Sequence, residues 1–261
     1  MFESKHDLSI SGTSKFTFET EQVCVFCHTP HRARQNIQNA TAPELIIRTG
    51  TVYNTTNQYQ EGTGTPSLLL WNRGLSNQTE FLPYTSSTLN VNIYEIRIYS
   101  LLCLSCHDGI NALNVLVNNP SEVVDGQPPS LEPVEPGGPT RFKDVYTGDS
   151  TYGWGPNIGE RVNPGDTLNL SNDHPISFDY PSDTTHPDVD AKSLRATVSG
   201  SGYVNHTSVR LFPNPTDPSK LNSMECSTCH DVHNEYADTP QYPFLVIPNK
   251  GSGLCLNCHV K

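Results

Sequence analysis

The stretch CVFCHTPH, residues 24–31, decides the fold of this chain. Its first five residues form the pattern CxxCH, which returns as CLSCH at 103–107, CSTCH at 226–230 and CLNCH at 255–259. The four motifs use all eight cysteines of the chain, which are Cys24, Cys27, Cys103, Cys106, Cys226, Cys229, Cys255 and Cys258. A histidine follows every pair, at His28, His107, His230 and His259. Such a spacing, kept four times with no cysteine left over, indicates one chemical use repeated four times.

The CxxCH pattern is typical of covalent attachment of haem c. The two thiols form thioether bonds to the porphyrin edge, and the adjacent histidine lies under the ring, where its imidazole binds the iron. Other uses of paired cysteines explain the pattern less well. A disulfide framework needs no histidine after each pair, zinc ribbons give no reason for histidine at all four positions, and a thioredoxin-like motif is usually single. We therefore predict four covalently bound haem c groups, each with its iron on one proximal histidine.

The composition is poor in material for a core made of side chains alone. Of the 261 residues, 34% are hydrophobic and 16% are charged, which is low for a globular chain of this length. Four haems would supply large apolar surfaces for the chain to wrap. The predicted fold class is mostly irregular coil wrapped around four haems, with short helices at the CxxCH motifs and a few short β-strands.

We expect a single multihaem domain over residues 1–261. Within it, residues 1–118 hold the first two haem sites, residues 119–190 form a haem-free segment rich in Pro and Gly, and residues 191–261 hold the last two sites.

Local patterns predict a few further elements. Helical turns are expected near Ser100–His107 and after Met224, where attachment motifs lie. Alternation of apolar and polar residues predicts a strand at Val91–Ile98. Two segments that flank the sequence SGSG at 199–202 predict a hairpin, and Phe244–Ile247 is a candidate short strand between two prolines.

Charge and hydropathy exclude several classes of partner. The net charge of -11, with no basic stretch, argues against nucleic acid and against anionic membrane surfaces. No apolar run approaches the length of about 18 residues that a transmembrane helix needs. Thioether attachment takes place outside the cytoplasm in prokaryotes, and the chain starts MFESKHDLSIS without an apolar signal region. We therefore expect the numbering to follow a mature, secreted chain that is extracellular or at the cell surface.

The supply of histidine predicts two imidazole ligands on each iron. Four irons have eight axial positions, and the chain has ten histidines. Six remain beside the proximal four, namely His6, His31, His174, His186, His206 and His233. Methionine, the usual competing ligand, occurs only as Met1 and Met224, and Met224 is badly placed for the far face of the haem that follows it. Bis-histidine ligation implies low-spin iron with no open position, which argues against catalysis at the metal.

Two of the spare histidines carry geometric information. His31 follows His28 by three residues, and His233 follows His230 by the same spacing. Each lies on the proximal side of its own haem and cannot easily reach the opposite face. If either is a ligand, it binds the iron of another haem and so holds two haems close together. Spacing alone does not rank His6, His174, His186 and His206.

Several segments together resemble the multihaem c-type cytochromes with doubled CxxCH motifs of metal-reducing bacteria. They are KHDLS at 5–9, CVFCHTPH at 24–31, CLSCHDG at 103–109, HPISFDY at 174–180 and MECSTCHDVHN at 224–234. Haem count and size are similar to those of the tetrahaem extracellular cytochrome filaments of the OmcE type. The resemblance covers the haem-bearing segments, about half of the chain.

This resemblance implies a particular ligand set and an assembly. The distal ligands would be His6, His31, His174 and His233, which leaves His186 and His206 as a surplus pair. Relatives that form filaments donate one axial histidine across the subunit boundary, and His31 is the position expected to do so here.

The leading hypothesis for function is an electron conduit that polymerises with itself. It would receive electrons from an upstream cytochrome and pass them to an extracellular acceptor. One alternative is a monomeric periplasmic or cell-surface shuttle. A multihaem reductase is the other alternative, and it would need an iron with an open or replaceable position.

Overall fold

The computed structural model describes the parts of the chain that carry all four CxxCH motifs. The described residues are 4–29, 45–47, 51–53, 71–76, 78–87, 89, 91–109, 111–116, 131–142, 158, 167–181, 194–198, 202–205, 209–214, 217, 219–234, 238–239 and 242–260. His31, His186 and His206 lie outside them, as does most of the segment 119–190.

A short helical element coincides with each CxxCH motif. The first motif begins in a 3₁₀ turn at Val23–Phe26. The second lies in the ten-residue helix α1, Ile98–His107, and the third and fourth are the single turns α2, Cys226–Cys229, and α3, Cys255–Cys258. Two further 3₁₀ turns occur at Gln78–Glu80 and Lys250–Ser252.

Helix α1 begins where the backbone of Arg97 is extended and ends at Asp108, whose N–H donates to the carbonyl of Leu104. Its buried apolar residues recur at helical spacing, as Ile98, Leu101 and Leu104 show. This stripe is what packs the helix onto the rest of the chain.

Within the described residues the strands are short and form five small sheets. Antiparallel pairs join β1 (Leu45–Ile47) to β2 (Thr51–Tyr53), β6 (Thr197–Val198) to β7 (Tyr203–Val204), and β10 (Asp238–Thr239) to β11 (Tyr242–Pro243). A parallel pair joins β3 (Phe81–Leu82) to β4 (Leu168–Asn169). The largest described sheet has the order β5 (Phe178–Asp179), β9 (Leu221–Met224), β8 (Phe212–Pro213), with antiparallel pairing throughout.

Apolar side chains gather in three separate clusters among the described residues. The first contains Phe16, Phe18, Val25, Phe26, Leu113, Leu116, Leu131 and Phe142, and Cys27 and Cys106 pack against it. The second contains Phe81, Ile96, Leu101, Leu104, Leu168 and Leu170. The third contains Phe178, Tyr180, Val204, Leu211 and Met224, and Cys258 packs against it. Attachment cysteines therefore lie at the edges of the first and third clusters.

One of the three strand predictions is confirmed and two are wrong. Strands β6 and β7 form the expected antiparallel pair on either side of the SGSG sequence. The predicted strand Val91–Ile98 is an irregular segment that leads into α1 at Ile98. The predicted strand Phe244–Ile247 begins with a turn, because Phe244 has a φ of 52°. No helix in the described part of the chain has both the length and the apolar character needed to span a bilayer.

Candidate functional site

Each CxxCH motif places its two cysteines on one face of a helical turn. The N–H of the motif histidine donates to the carbonyl of the first cysteine, at 2.8 Å in the first motif, 3.1 Å in the third and 2.8 Å in the fourth. Side chains three residues apart are neighbours on such a turn, so both sulfurs can reach one rigid ring. None of the eight cysteines forms a disulfide.

In three of the motifs the histidine also forms an antiparallel bridge with a distant segment. At His230 and His259 the backbone becomes extended directly after the helical turn. The bridges join His28 to Trp71, His230 to Leu245 and His259 to Leu194. His107 instead remains in α1, where its carbonyl accepts a hydrogen bond from the N–H of Ile158 at 3.0 Å. Bridge or helix, the backbone at each proximal histidine is held by a remote part of the chain.

Three proximal histidines each face one of the spare histidines. Ring centroids are 5.9 Å apart for His107 and His6, 6.2 Å for His28 and His233, and 6.4 Å for His259 and His174. An imidazole nitrogen binds a metal ion at about 2.0–2.1 Å, so two imidazoles on opposite sides of one ion have centroids roughly 6 Å apart. The three separations therefore suit two axial ligands on a shared iron.

The ring planes differ from pair to pair. They are inclined by 22° for His28 and His233, by 52° for His107 and His6, and by 74° for His259 and His174. All three pairs join residues that are far apart in sequence, so local chain geometry does not produce them.

The surroundings of two of the paired histidines favour the neutral form of the imidazole. Burial, together with the neighbouring His107, His230 and His233, lowers the pKa of His6 to about 3. Burial also lowers the pKa of His259, with a contribution from His174. Metal ions bind the neutral form of imidazole. These pKa shifts thus leave both side chains in the form that iron needs.

The first three attachment motifs lie beside one another. Cys27 of the first motif and Cys106 of the second pack against the same apolar cluster. Helices α1 and α2 pack together, and the side chains of Cys103 and Cys226 are within hydrogen-bond reach of each other. The first motif is thus next to the second, and the second is next to the third.

A buried polar network supports the junction between the second and third motifs. The carboxylate of Glu225, 1% exposed, accepts hydrogen bonds from Ser100 and Ser223, both at 2.5 Å. Ser100 Oγ also accepts the N–H of Cys226 at 3.2 Å. This network fixes the start of α1 against α2, and with it the approach of Cys103 to Cys226.

The cysteine and histidine pattern did not indicate three polar residues near the motifs. They are the buried Glu225 and Arg73 and the half-buried Trp71, whose Nε1 is buried. Glu225 directly precedes Cys226, which is the one sequence signal that could have singled it out. Arg73 and Trp71 are remote from every motif in sequence, so only the fold reveals their position.

The motifs and their surroundings fit haem c better than a lone metal ion. Four turns present paired thiols beside a histidine, and three of those histidines have a second imidazole opposite them. Within the described residues, no three or more His, Cys, Asp or Glu side chains group as ligands of a single ion.

Comparison with known families gave one match. Residues 219–261, which contain the third and fourth motifs, match the family described as the doubled CXXCH motif. No match was found among curated proteins. The family match supports a multihaem c-type cytochrome with covalently bound haem c, a class whose members generally carry electrons.

Proposed function

We propose that the chain is a tetrahaem c-type cytochrome that conducts electrons through closely spaced bis-histidine haems. The observation that carries this proposal is the set of three histidine pairs at 5.9–6.4 Å, each of which joins a proximal histidine to a histidine from elsewhere in the chain. The CxxCH motifs at both ends of the chain, outside the matched family region as well as inside it, support the count of four haems.

The pairs give three of the proposed ligand assignments. His28 and His233 would hold the first haem, His107 and His6 the second, and His259 and His174 the fourth. For the third haem we propose His230 and His31. The reason is reciprocity: His233, three residues after His230, faces His28 of the first motif. His31 has the same spacing from His28 and is therefore the candidate partner of His230.

Ligation by two imidazoles favours electron transfer over catalysis at iron. Each haem would supply a one-electron couple, and the chain would fix the spacing, orientation and potential of the four couples. With both axial positions taken by histidine, no position remains for a substrate. We therefore do not assign enzymatic activity.

The contacts between motifs support transfer from haem to haem. Cys27 and Cys106 pack against one cluster and Cys103 approaches Cys226, so the attachment edges of the first three haems would be neighbours. Because His233 follows the third motif by three residues and faces the first, the first and third haems would also be neighbours. The proposed conduit therefore has close steps among its first three haems.

We further propose that the protein is secreted and acts outside the cell. It would receive electrons from an upstream cytochrome and polymerise into a filament that leads to an extracellular acceptor. In that assembly His31 would be the axial histidine donated to a neighbouring subunit, as the sequence resemblance implies, and we assign it to the third haem there.

A monomeric electron shuttle is the alternative function. The observation that favours it is that three histidine pairs form within one chain, and the reciprocal spacing allows His31 to complete the fourth pair in the same chain. Both functions use the same bis-histidine haems and differ only in the source of one ligand.

Haem content and spin state test the proposed function. After acid-acetone extraction, the mass of the intact chain should exceed that of the polypeptide by four haems. Electron paramagnetic resonance of the oxidised native protein should show low-spin iron without a stoichiometric high-spin signal. Fewer than four haems would overturn the tetrahaem proposal, and a full equivalent of high-spin iron in the native state would favour a reductase.

A further inference from the structure

Arg73 is a buried cation whose described partners are all main-chain carbonyls. The residue is only 3% exposed. Nη1 donates to the carbonyl of Leu113 at 2.7 Å, and Nη2 donates to the carbonyls of Ala112 at 2.8 Å and Ser105 at 3.3 Å. The Nε–H meets no acceptor among the described residues. Carbonyls satisfy hydrogen bonds but do not neutralise the charge.

The position of this cation is between the first two attachment motifs. Beside it in sequence, Asn72 donates from its N–H to the carbonyl of Cys27 at 2.9 Å and from Nδ2 to the carbonyl of Val25 at 2.6 Å. These bonds tie the segment to the first motif, while the carbonyl of Ser105 belongs to the second.

These contacts place the cation beside the attachment cysteines of both motifs. The carbonyl of Ser105, which accepts from Nη2, directly precedes Cys106, and the neighbouring Asn72 donates to the carbonyl of Cys27 itself. Haems attached at these cysteines would therefore lie near the guanidinium. The buried carboxylate of Asp108, which accepts hydrogen bonds from Ser76 and Asn111, is the other charge next to the second motif.

We infer that Arg73 sets the reduction potentials of the haems at the first and second motifs, and holds them higher than they would be without it. This inference rests on the proposed function. A guanidinium stays protonated at all physiological pH values. A nearby positive charge disfavours the oxidised iron, which carries one more positive charge than the reduced iron, and burial weakens the screening by solvent.

Arg73 is buried without a carboxylate partner among the described residues. Arg97, which precedes α1, instead forms an ion pair with Asp179 at 2.6 Å. Arg195, which is half-buried, donates from Nε to the carbonyl of Leu256 in the fourth motif at 2.8 Å. Of these three arginines, Arg73 is the one that is both buried and without a carboxylate.

The test is redox titration of variants that retain four haems. For a charge roughly 12 Å from iron in a medium of effective dielectric constant about 20, removal changes the ratio of reduced to oxidised haem about tenfold at a fixed solution potential. For a one-electron couple this is about 59 mV. Arg73→Gln should lower the potentials of two of the four haems by about this amount. Arg73→Lys should keep most of the native potentials, since it keeps the charge.

Arg210→Gln is the matched control, because Arg210 is exposed and its charge is screened by solvent. It should leave all four potentials unchanged. Unchanged potentials in a four-haem Arg73→Gln protein would overturn the inference, as would equal shifts in the Lys and Gln variants, since those would reflect lost hydrogen bonds alone.

Arg73→Met is a second neutral variant, to be used if Arg73→Gln fails to attach its haems. If both neutral variants lose haem while Arg73→Lys matures, the residue acts in folding and the inference is rejected. A native chain without four haems would instead reject the proposed function, so the two failures are distinguishable.

Discussion

At the scale of single residues, a three-residue offset decides which haem a histidine can serve. His233 follows the proximal His230 by three positions, yet its ring lies 6.2 Å from that of His28, with the planes inclined by only 22°. A side chain so close to its own attachment turn cannot easily reach the far face of a haem bound there. In the proposed ligand set His233 therefore serves a different haem. The spacing alone predicts this for His233 if it is a ligand, without naming the recipient.

Replacement of His233 tests this assignment. In His233→Ala the first haem loses one of its two axial ligands, so one equivalent of high-spin iron should appear in the electron paramagnetic resonance spectrum. His206→Ala should remain low-spin, because His206 is surplus in the proposed ligand set. A His233→Ala protein with four low-spin haems would show that His233 is not a ligand.

A variant that cannot attach the first haem identifies the haem that His233 serves. With Cys24→Ser and Cys27→Ser the first haem is not attached, and three haems remain. If His233 serves that haem, adding His233→Ala in this background should create no further high-spin iron. A new high-spin signal there would assign His233 to one of the other three haems.

At the scale of elements, the buried carboxylate of Glu225 links three pieces of structure. Ser100 belongs to α1, Ser223 to β9, and Glu225 itself precedes α2. Ser177 Oγ also donates to the carboxylate, at 3.4 Å, and Arg97 acts on it electrostatically. These groups favour the ionised carboxylate, but burial is the largest influence and raises the pKa of Glu225 above its ordinary value of 4.5.

The raised pKa of Glu225 determines how this carboxyl group affects stability as the pH changes. A carboxyl whose pKa is higher in the folded state than in the unfolded state stabilises the fold below the unfolded pKa, and this contribution is lost as pH rises through the folded pKa. Relative to Glu225→Gln, which cannot ionise, the native protein should therefore lose free energy of unfolding as pH rises above 4.5. Denaturant unfolding at a series of pH values measures the difference.

Glu135→Gln is the matched control, since Glu135 is exposed. It should follow the native pH profile. A constant difference between the native protein and Glu225→Gln across this pH range would contradict the raised pKa of Glu225.

Elements near the motifs were predictable because covalent chemistry dictates them. A CxxCH motif needs both sulfurs on one face, which a helical turn supplies, and all four motifs have a helical element. For the histidines, the sequence predicted a set of candidate ligands but not which of them form pairs. Which imidazole faces which depends on contacts between residues far apart in the chain, and a single sequence does not contain that information.

The two wrong strand predictions have physical explanations. The alternation at 91–98 arises because Val91 and Ile93 pack against the third cluster while Ile96 belongs to the second, so the pattern reflects two anchoring points. At 244, the chain turns so that Phe244 packs edge-on against His6, with ring centroids 4.5 Å apart. In both places, packing against a cluster or a ligand outweighs local strand preference.

At the scale of the whole molecule, the proposed function depends on which chain supplies the distal ligand of the third haem. The contacts among the first three motifs would make their haems neighbours. If His31 ligates the third haem of its own chain, the proposed ligand set is complete in a monomer. If His31 ligates a haem of another copy, each subunit continues the haem row of the next.

Filament formation by the native protein is the last prediction, and His31→Ala tests its cause. A head-to-tail contact that does not close on itself generates an open filament, and an axial histidine donated to a neighbour would make that contact specific. Negative-stain microscopy should show filaments of the native protein that survive reductant, because all eight cysteines are committed to haem attachment in the proposed structure. His31→Ala should be secreted with four haems, one of them high-spin, and should remain short or monomeric.

His186→Ala is the matched control and should form filaments of native length. Filaments of unchanged length from His31→Ala would refute the bridging role. A native protein that is only ever monomeric, with four low-spin haems, would refute the filament and leave the electron shuttle, with His31 ligating the third haem of its own chain.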